Sequence, residues 1–206
     1  MTSFTNLAAI LLAAGFSRRM GGENKLLKEL GGRPLIGHVL GTVGKLDLGQ
    51  LIVVLGTSAD QVAPLLPASA VVVRNDRAGE GMGSSLAAGA LALDPSLAGA
   101  FVVLADMPFL TPADYQALAA AFQAERGEAI CIPLHKGQRG HPVLFPARHF
   151  AALTACQGDS GARHLLTDPA VRLREVEGCS AGVLADFDDP TSFDVYLASP
   201  AFLTKK

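Results

Sequence analysis

The feature that most constrains this chain is a series of short apolar runs that do not strictly alternate with polar residues. Each run is four to six residues long and is bounded by Gly, Asp or Pro. Continuous Val, Ile and Leu runs of this length are typical of strands that are covered on both faces, as in a mostly parallel sheet. The runs predict six strands, at residues 7–12, 51–55, 70–73, 101–104, 129–132 and 142–145.

Helix signals fall between these runs. Pro34 suits the first turn of a helix over residues 35–46, and Thr111 can cap a helix that begins at Pro112. Strands that alternate with helices predict an α/β protein, a Rossmann-like three-layer α/β/α sandwich with a mostly parallel sheet. Ligands are expected beyond the carboxyl ends of its strands. A length of 206 residues without an internal repeat or a linker predicts a single domain, residues 1–206.

Composition and charge narrow the possible partners. Half of the residues are hydrophobic, which excludes a disordered chain. Residues 1–17 are uncharged, but this run is shorter than the ~20 residues that cross a bilayer, and Arg18 and Arg19 follow it, whereas a secretory signal carries its charge first. We therefore expect a cytoplasmic protein without a membrane partner. A net charge of −2, two Tyr and no Trp argue against nucleic acid and favour small molecules.

The segment after the first predicted strand, LAAGFSRRMGGENK at residues 12–25, has the composition of a phosphate-binding loop. Gly15, Gly21 and Gly22 let backbone amides turn toward an anion, Arg19 can bind two phosphate oxygens, and Lys25 adds a point charge. The segment lacks the GxxxxGK[ST] spacing of a P-loop hydrolase. A nucleoside triphosphate fits it, and the alternative is a surface turn with solvated arginines.

A second glycine-rich segment, GEGMGSSLAAG at residues 79–89, appears before a predicted helix. Backbone at Gly83 and hydroxyls of Ser84 and Ser85 can approach a nucleotide there, although capping of the helix is an equal alternative. The segment does not follow the first strand and has no acid ~20 residues later, so a dinucleotide-binding fingerprint is disfavoured.

Acidic residues predict a divalent-cation site. Asp106 ends the apolar run FVVLA, and Mg²⁺ is commonly held by one or two carboxylates together with nucleotide phosphates. In the later segment DFDDP, alternation along an extended chain would aim Asp186 and Asp188 the same way, so either one can join Asp106. The alternative is that these acids cap a final helix, with Asp189 next to Pro190 as the cap.

Two further loops carry cations beside glycines and can bind a second anionic substrate. KGQRGHPVLF contains Arg139, Gly140 and His141, and QGDSGARHLL contains Arg163. In the second loop, capping of a helix by Asp159 is the competing interpretation.

Taken together, the motifs LAAGFSRRMGGENK, GEGMGSSL, LADMP, GQRGHPVLF, GDSGAR and DFDDP resemble those of the molybdenum cofactor cytidylyltransferases, which are MobA-like nucleotidyltransferases, from about residue 7 to residue 196. The first motif is shared by many nucleotidyltransferases, whereas GQRGHPVLF with GDSGAR is more discriminating. The segment DFDDP departs from the more usual DIDTP and adds the negative charge of Asp189.

The resemblance implies a role for each matching residue. Arg19, Lys25 and Asp106 would be catalytic, and Asp106 and Asp188 would hold Mg²⁺, with Asp186 the other candidate for the second ligand. Arg139, Gly140, His141 and Arg163 would bind molybdopterin. The nucleotide site would comprise Leu12, Ala13, Ala14, Gly15, Arg19, Lys25, Gly83, Ser84, Ser85 and Asp106.

The implied reaction is transfer of CMP from CTP to the phosphate of molybdopterin, and a recipient molybdoenzyme is a further expected partner. Ala14 favours CTP, because guanylyl-transferring relatives tend to carry LAGG at this point. Three alternatives remain at this stage: transfer of another nucleotide or to another phosphate acceptor, an NADPH-dependent reductase on the same fold, and a non-catalytic carrier of the mature cofactor.

Overall fold

The structure, a computed structural model, describes residues 4–15 and 24–187. It is an α/β protein whose central sheet is mostly parallel, as the sequence predicts. Eight described strands form this sheet in the order β10-β7-β9-β6-β1-β4-β5, with β8 paired to β7, and β2 and β3 form a separate antiparallel pair. The strands are β1 (Phe4–Ala13), β2 (Glu29–Leu30), β3 (Arg33–Pro34), β4 (Leu48–Leu55), β5 (Val71–Arg74), β6 (Gly99–Leu104), β7 (Ile130–His135), β8 (Gln138–Arg139), β9 (Val143–Pro146) and β10 (Leu173–Val176).

All six predicted strands are confirmed, and β1 lies in the interior of the sheet, between β4 and β6. Its Ala9 pairs with Leu51 of β4 on one side and with Phe101 of β6 on the other, both in parallel. Strand β9 is instead antiparallel to both β6 and β7. Its direction follows from the short connection that precedes it, since a parallel crossover needs a dozen or more residues.

Helices cover both faces of the sheet, so the predicted three-layer arrangement is confirmed. Leu11 and Val53 pack on one face with residues of α1 and α4, and Leu12 and Val54 pack on the other with residues of α3, α5 and α6. None of the helices in the described ranges is long and apolar enough to cross a membrane. The helices are α1 (Leu35–Val43), α2 (Ala59–Val62), α3 (Met82–Leu91), α4 (Pro112–Ala124), α5 (Phe150–Thr154) and α6 (Arg163–Thr167).

The first turn of α4 anchors the C-terminal part of the described chain. Thr111 and Asp114 form a reciprocal capping box, which confirms the predicted cap at Thr111. The buried Asp114 carboxylate also accepts hydrogen bonds from the Ser180 amide at 2.7 Å and from the Ser180 hydroxyl at 2.9 Å. From Ser180 the chain continues to Phe187, whose amide donates to the carbonyl of Asp106 at 3.2 Å. The hydrogen bonds that join Thr111, Asp114 and Ser180 are called the clasp below. The clasp directs residues 180–187 toward the edge of the sheet where Asp106 lies.

Candidate functional site

Two predicted catalytic side chains meet at the carboxyl edge of the central strands. Asp106 follows β6, the neighbour of β1 in the sheet. Lys25 lies 81 residues earlier in the sequence, in the short turn at residues 25–27. The Lys25 ammonium donates to Asp106 Oδ2 at 2.5 Å, and the two side chains are only 13% and 15% exposed. A mostly buried ion pair of this kind is costly to desolvate, so its presence at a sheet edge marks a candidate functional site.

The short turn at residues 25–27 orients Lys25 toward Asp106. Asn24 precedes this turn, and its Oδ1 accepts a hydrogen bond from the Leu26 amide at 3.1 Å. The buried Leu26 side chain anchors the turn in the core. Lys25 therefore starts from a fixed backbone, although the segment before it, with Arg19, Gly21 and Gly22, lies outside the described residues.

The first four residues of the predicted phosphate loop, 12–15, differ in their packing against the described part of the chain. Leu12, Ala13 and Ala14 are buried at the end of β1 and form its packing surface. Gly15 is exposed, and a Cβ built on it meets no atom of the described structure within 4 Å. The geometry is compatible with close approach of a ligand at Gly15, while the roles of all four residues in nucleotide binding stay predictions.

The surroundings of Asp106 suit a hard divalent cation. The contact between the Phe187 amide and the Asp106 carbonyl brings the neighbouring Asp186 to the same edge of the sheet, with its side chain exposed. Asp188 and Asp189 lie outside the described residues. Within residues 4–15 and 24–187 there is no group of three or more His, Cys, Asp or Glu that could hold a metal by itself. Asp106 fits Mg²⁺ in the mode in which one or two carboxylates are completed by phosphate oxygens.

The serines of the second glycine-rich segment are part of an internal hydrogen-bond network. Asn75 follows β5, is buried, and donates from Nδ2 to the hydroxyls of Ser84 and Ser85, both at 3.0 Å. The Ser84 hydroxyl also donates to the carbonyl of Arg77 at 2.8 Å. Neither serine caps α3, whose first turn begins after Gly81 without a side-chain cap, so the capping interpretation is wrong. Asn75 was not predicted, and its only sequence signal is its position just after an apolar run.

The glycines of this segment have a structural role that the sequence did not indicate. The Gly83 amide donates to the Gly158 carbonyl at 2.7 Å, and a Cβ at Gly83 would lie 2.5 Å from backbone atoms of Gln157. Gly81 adopts φ of +108°, and a Cβ there would lie 2.5 Å from Asp159 Oδ1. Residues 157–161 thus dock directly on the first turn of α3, and this contact requires glycine on the helix side.

A cavity of about 500 Å³ opens between this docked loop and the sheet. It brings together all four residues that were predicted to bind the second substrate: Arg139, Gly140, His141 and Arg163. Its floor is the apolar face of the sheet, formed by Leu12, Val102, Ile132, Val143 and Phe145. The cavity therefore combines an apolar floor with a wall that contains two arginines.

The two arginines of the cavity differ in their partners. Arg139 Nε donates to Glu175 Oε1 at 2.7 Å, so its charge is already balanced by a neighbouring carboxylate. Arg163 is exposed, and within the described ranges its side chain makes no hydrogen bond or ion pair. Arg163 is consequently the better placed of the two for an incoming anion.

Backbone geometry fixes the loop that carries Gly140 and His141. The Gly140 amide donates to the Pro133 carbonyl at 3.0 Å, and the His141 amide donates to the Val183 carbonyl at 2.9 Å. A Cβ at Gly140 would overlap the Val183 carbonyl, so glycine is required there for packing. The close packing of Gly140 holds His141 at the cavity, and a role of Gly140 in substrate binding stays a prediction.

His141 is a neutral side chain at the cavity wall. Burial lowers its pKa below the usual 6.5, against the smaller opposing effects of the Val102 carbonyl and the Asp106 carboxylate. Its Nδ1 is buried and has no hydrogen-bond partner in the described structure. Leu12 lines the cavity, and its carbonyl accepts a hydrogen bond at 3.2 Å from the amide of Ala105, the residue before Asp106. The cavity and the Lys25–Asp106 pair are therefore adjacent parts of one site.

Comparison with known proteins identifies the family of this chain. Residues 9–176 match the model of the MobA-like NTP transferase domain. The chain belongs to this family. It is 32% identical over 193 residues to the bifunctional protein GlmU of Corynebacterium aurimucosum, covering 90% of this chain but only 38% of that relative.

Two solved structures extend the comparison. The homologue of Mycobacterium tuberculosis Rv0371c from Mycobacterium sp. strain JC1 is 28% identical with a TM-score of 0.86, over 98% of this chain and 99% of that one. Rv0371c itself, from M. tuberculosis H37Rv in complex with manganese, has a TM-score of 0.77 at 24% identity, over 94% of this chain and 98% of that one, which supports the fold alone. The family and the nucleotidyltransferase fold are thereby shown, whereas the substrates are not.

Proposed function

We propose that this family member transfers CMP from CTP to the terminal phosphate of molybdopterin, with or without bound molybdenum, releasing pyrophosphate and forming molybdopterin cytosine dinucleotide. The observation that carries the proposal is that Leu12, the first residue of the LAAG segment, links two parts of the structure: it lines the cavity that contains Arg163 and His141, and its carbonyl accepts a hydrogen bond from Ala105, next to Asp106 of the Lys25–Asp106 pair. One part suits a metal-bound triphosphate and the other suits a second phosphate-bearing substrate. Nucleotidyl transfer requires that these two ligands lie side by side.

The chemistry needs no covalent enzyme intermediate. An oxygen of the acceptor phosphate attacks the α-phosphorus of CTP, and the bond from that phosphorus to the β-phosphate bridging oxygen breaks. A phosphomonoester has a second pKa of about 6, so it is largely deprotonated near neutral pH and needs no general base. Positioning and charge neutralisation by the enzyme then account for most of the acceleration.

Each candidate residue has a task in this scheme. Asp106, with Asp188 or Asp186, would hold Mg²⁺, which when bound neutralises phosphate charge and aligns the α-phosphate. Lys25 and Arg19 stabilise the charge that accumulates on the departing pyrophosphate. Arg163 binds the acceptor phosphate. The manganese complex of Rv0371c, a protein of the same fold, supports a divalent cation in this role.

The cytosine base is the finer part of the proposal and rests on Ala14 in the LAAG motif. Guanylyl transfer to molybdopterin, CTP transfer to another phosphate acceptor and NADPH-dependent reduction are the alternatives. The first two predict the same pyrophosphate release with a different nucleotide or acceptor, and the third predicts NADPH binding without pyrophosphate release. We further propose that the product passes to a molybdoenzyme and that the chain acts as a single domain in the cytoplasm.

The deciding experiment offers the purified protein CTP, GTP or ATP together with Mg²⁺ and molybdopterin and measures pyrophosphate for each nucleotide. We expect release with CTP and molybdopterin together and not with either alone. Asp106→Asn is expected to abolish turnover, and Lys25→Met to lower it by ~10²- to 10³-fold, the usual effect of removing one electrostatic donor. Lys45→Met, the same substitution at an exposed lysine, is the matched control and should leave the rate unchanged. Release with GTP alone among the nucleotides contradicts the cytidylyl assignment.

A further inference from the structure

One acidic side chain in the wall of the cavity is unexplained by phosphate binding. Among the described residues that line the cavity, Arg139 and Arg163 are cationic and Asp159 is the only carboxylate. Asp159 does not cap α6, because the residue before that helix is Ala162 and no side chain caps it, so the capping interpretation of Asp159 is wrong. In the described part of the chain the Asp159 carboxylate accepts no hydrogen bond.

The position of Asp159 is fixed by its backbone. Its preceding residue, Gly158, accepts the hydrogen bond from Gly83, and the Asp159 carboxylate lies where a side chain at Gly81 would otherwise be. Residues 157–161 therefore present Asp159 at the first turn of α3, and the same cavity is lined by Arg163, the first residue of α6.

A carboxylate at this place opposes the binding of a phosphate, since like charges repel. Hydrogen bonds offset this repulsion when the same ligand carries N–H groups that donate to the carboxylate. The floor of Leu12, Val102 and Val143 is apolar and belongs to one face of a sheet, which suits the face of a flat ring. Phosphate at the Arg163 side and N–H donors at the Asp159 side thus describe the two ends of one ligand.

We propose that Asp159 recognises the acceptor by accepting hydrogen bonds from adjacent ring N–H and exocyclic amino groups of a flat heterocycle, the edge of a 2-amino-4-oxopyrimidine. The inference rests on the proposed function, in which the acceptor is a phosphorylated pterin, and it names Asp159 as the residue that determines specificity for the ring. A single carboxylate binds two adjacent N–H donors selectively. In an analogue that carries an acceptor in place of one donor, that acceptor would face a carboxylate oxygen, and neither could donate a hydrogen bond.

The test compares two small probes that differ only in this edge, 6-(phosphomethyl)pterin and 6-(phosphomethyl)lumazine, in which an oxo group replaces the 2-amino group. Binding to the full chain is measured by quenching of probe fluorescence. The wild-type protein is expected to bind the pterin at least about tenfold more tightly than the lumazine. Asp159→Asn is expected to lose about tenfold in pterin affinity and little in lumazine affinity, so that the preference disappears.

Asp168→Asn, an exposed aspartate just after α6, is the matched control and should retain the preference. Thermal unfolding of Asp159→Asn is measured as well, and we expect a midpoint close to that of the wild type. A lost preference at an unchanged midpoint then reports on ring recognition and not on a folding defect. Equal binding of the two probes by the wild-type protein, absence of pterin binding, or an unchanged preference in Asp159→Asn overturns the inference. Pyrophosphate release is measured in parallel: a pterin preference that depends on Asp159 without consumption of CTP upholds the ring recognition and rejects the transfer reaction.

Discussion

Replacing Asp114 by Ala removes the acceptor at the centre of a buried clasp. The Asp114 carboxylate is 3% exposed and accepts hydrogen bonds from the amide and the hydroxyl of both Thr111 and Ser180, at distances between 2.7 and 2.9 Å. The two hydroxyls can rotate toward other acceptors after the substitution, but the two backbone amides cannot. The loss in the free energy of unfolding is therefore set mainly by two partly buried amides that lose their partner.

A buried donor without a partner costs about 1–3 kcal/mol, and the carboxylate at the start of α4 also loses its favourable interaction with the helix dipole, about 0.3–1 kcal/mol. Allowing for local relaxation, Asp114→Ala should lower the free energy of unfolding by about 3–4 kcal/mol, a large part of the ~5–15 kcal/mol that is typical of a domain. In urea this corresponds to a fall in the unfolding midpoint of about 1–2 M.

Urea unfolding monitored by circular dichroism measures the effect, and Asp94→Ala provides the matched control. Asp94 likewise accepts hydrogen bonds from a backbone amide and a hydroxyl, both of Ser96, but it lies in an exposed turn where water replaces them. We expect the control to lose no more than about 1 kcal/mol. If Asp114→Ala unfolds at the same urea concentration as Asp94→Ala, the clasp does not stabilise the fold and the reasoning is refuted.

Three further predictions concern single positions. Gly83→Ala forces a Cβ against the Gln157 backbone and should raise the KM for the acceptor about tenfold or more by displacing the docked loop; an unchanged KM would show that the loop tolerates the methyl group. Gly41→Ala meets only the mobile guanidinium of Arg33, so helix propensity should dominate and raise the free energy of unfolding by about 0.5–1 kcal/mol in urea, and any loss would contradict this. The pKa of His141, measured by NMR titration, should lie below 6.5. The unfolded chain then binds the proton more readily than the folded one, so the wild type should lose more stability than His141→Gln as the pH falls below 6.5. Equal losses in the two proteins would argue against a buried neutral ring.

The sequence predicted the sheet well because strands covered on both faces carry a strong local signal. The direction of β9 was not predicted, since an apolar run of four residues is the same in either direction. The short connection between β7 and β9 contained the necessary information, because it is too short for a crossover.

The candidate site was predictable to the extent that it depends on strand ends. Asp106 ends a central strand, so its place at the carboxyl edge followed from the alternation of strands and helices. Asn75 and Asp114 were not identified as key side chains, because their partners lie in segments that meet them only in the tertiary structure. The glycines at 81 and 83 indicated a close approach of backbone, but glycine does not reveal whether a ligand or another part of the chain makes that approach.

The docking of residues 157–161 on α3 has a consequence for how such proteins diversify. A loop that shapes the cavity is held by a helix turn from a different part of the sequence, through glycines that leave no space for a substituent. An exchange of the loop alone between family members would place foreign side chains against an unsuited helix. Engineering of a new acceptor preference should therefore transplant the helix turn and the loop as one cassette.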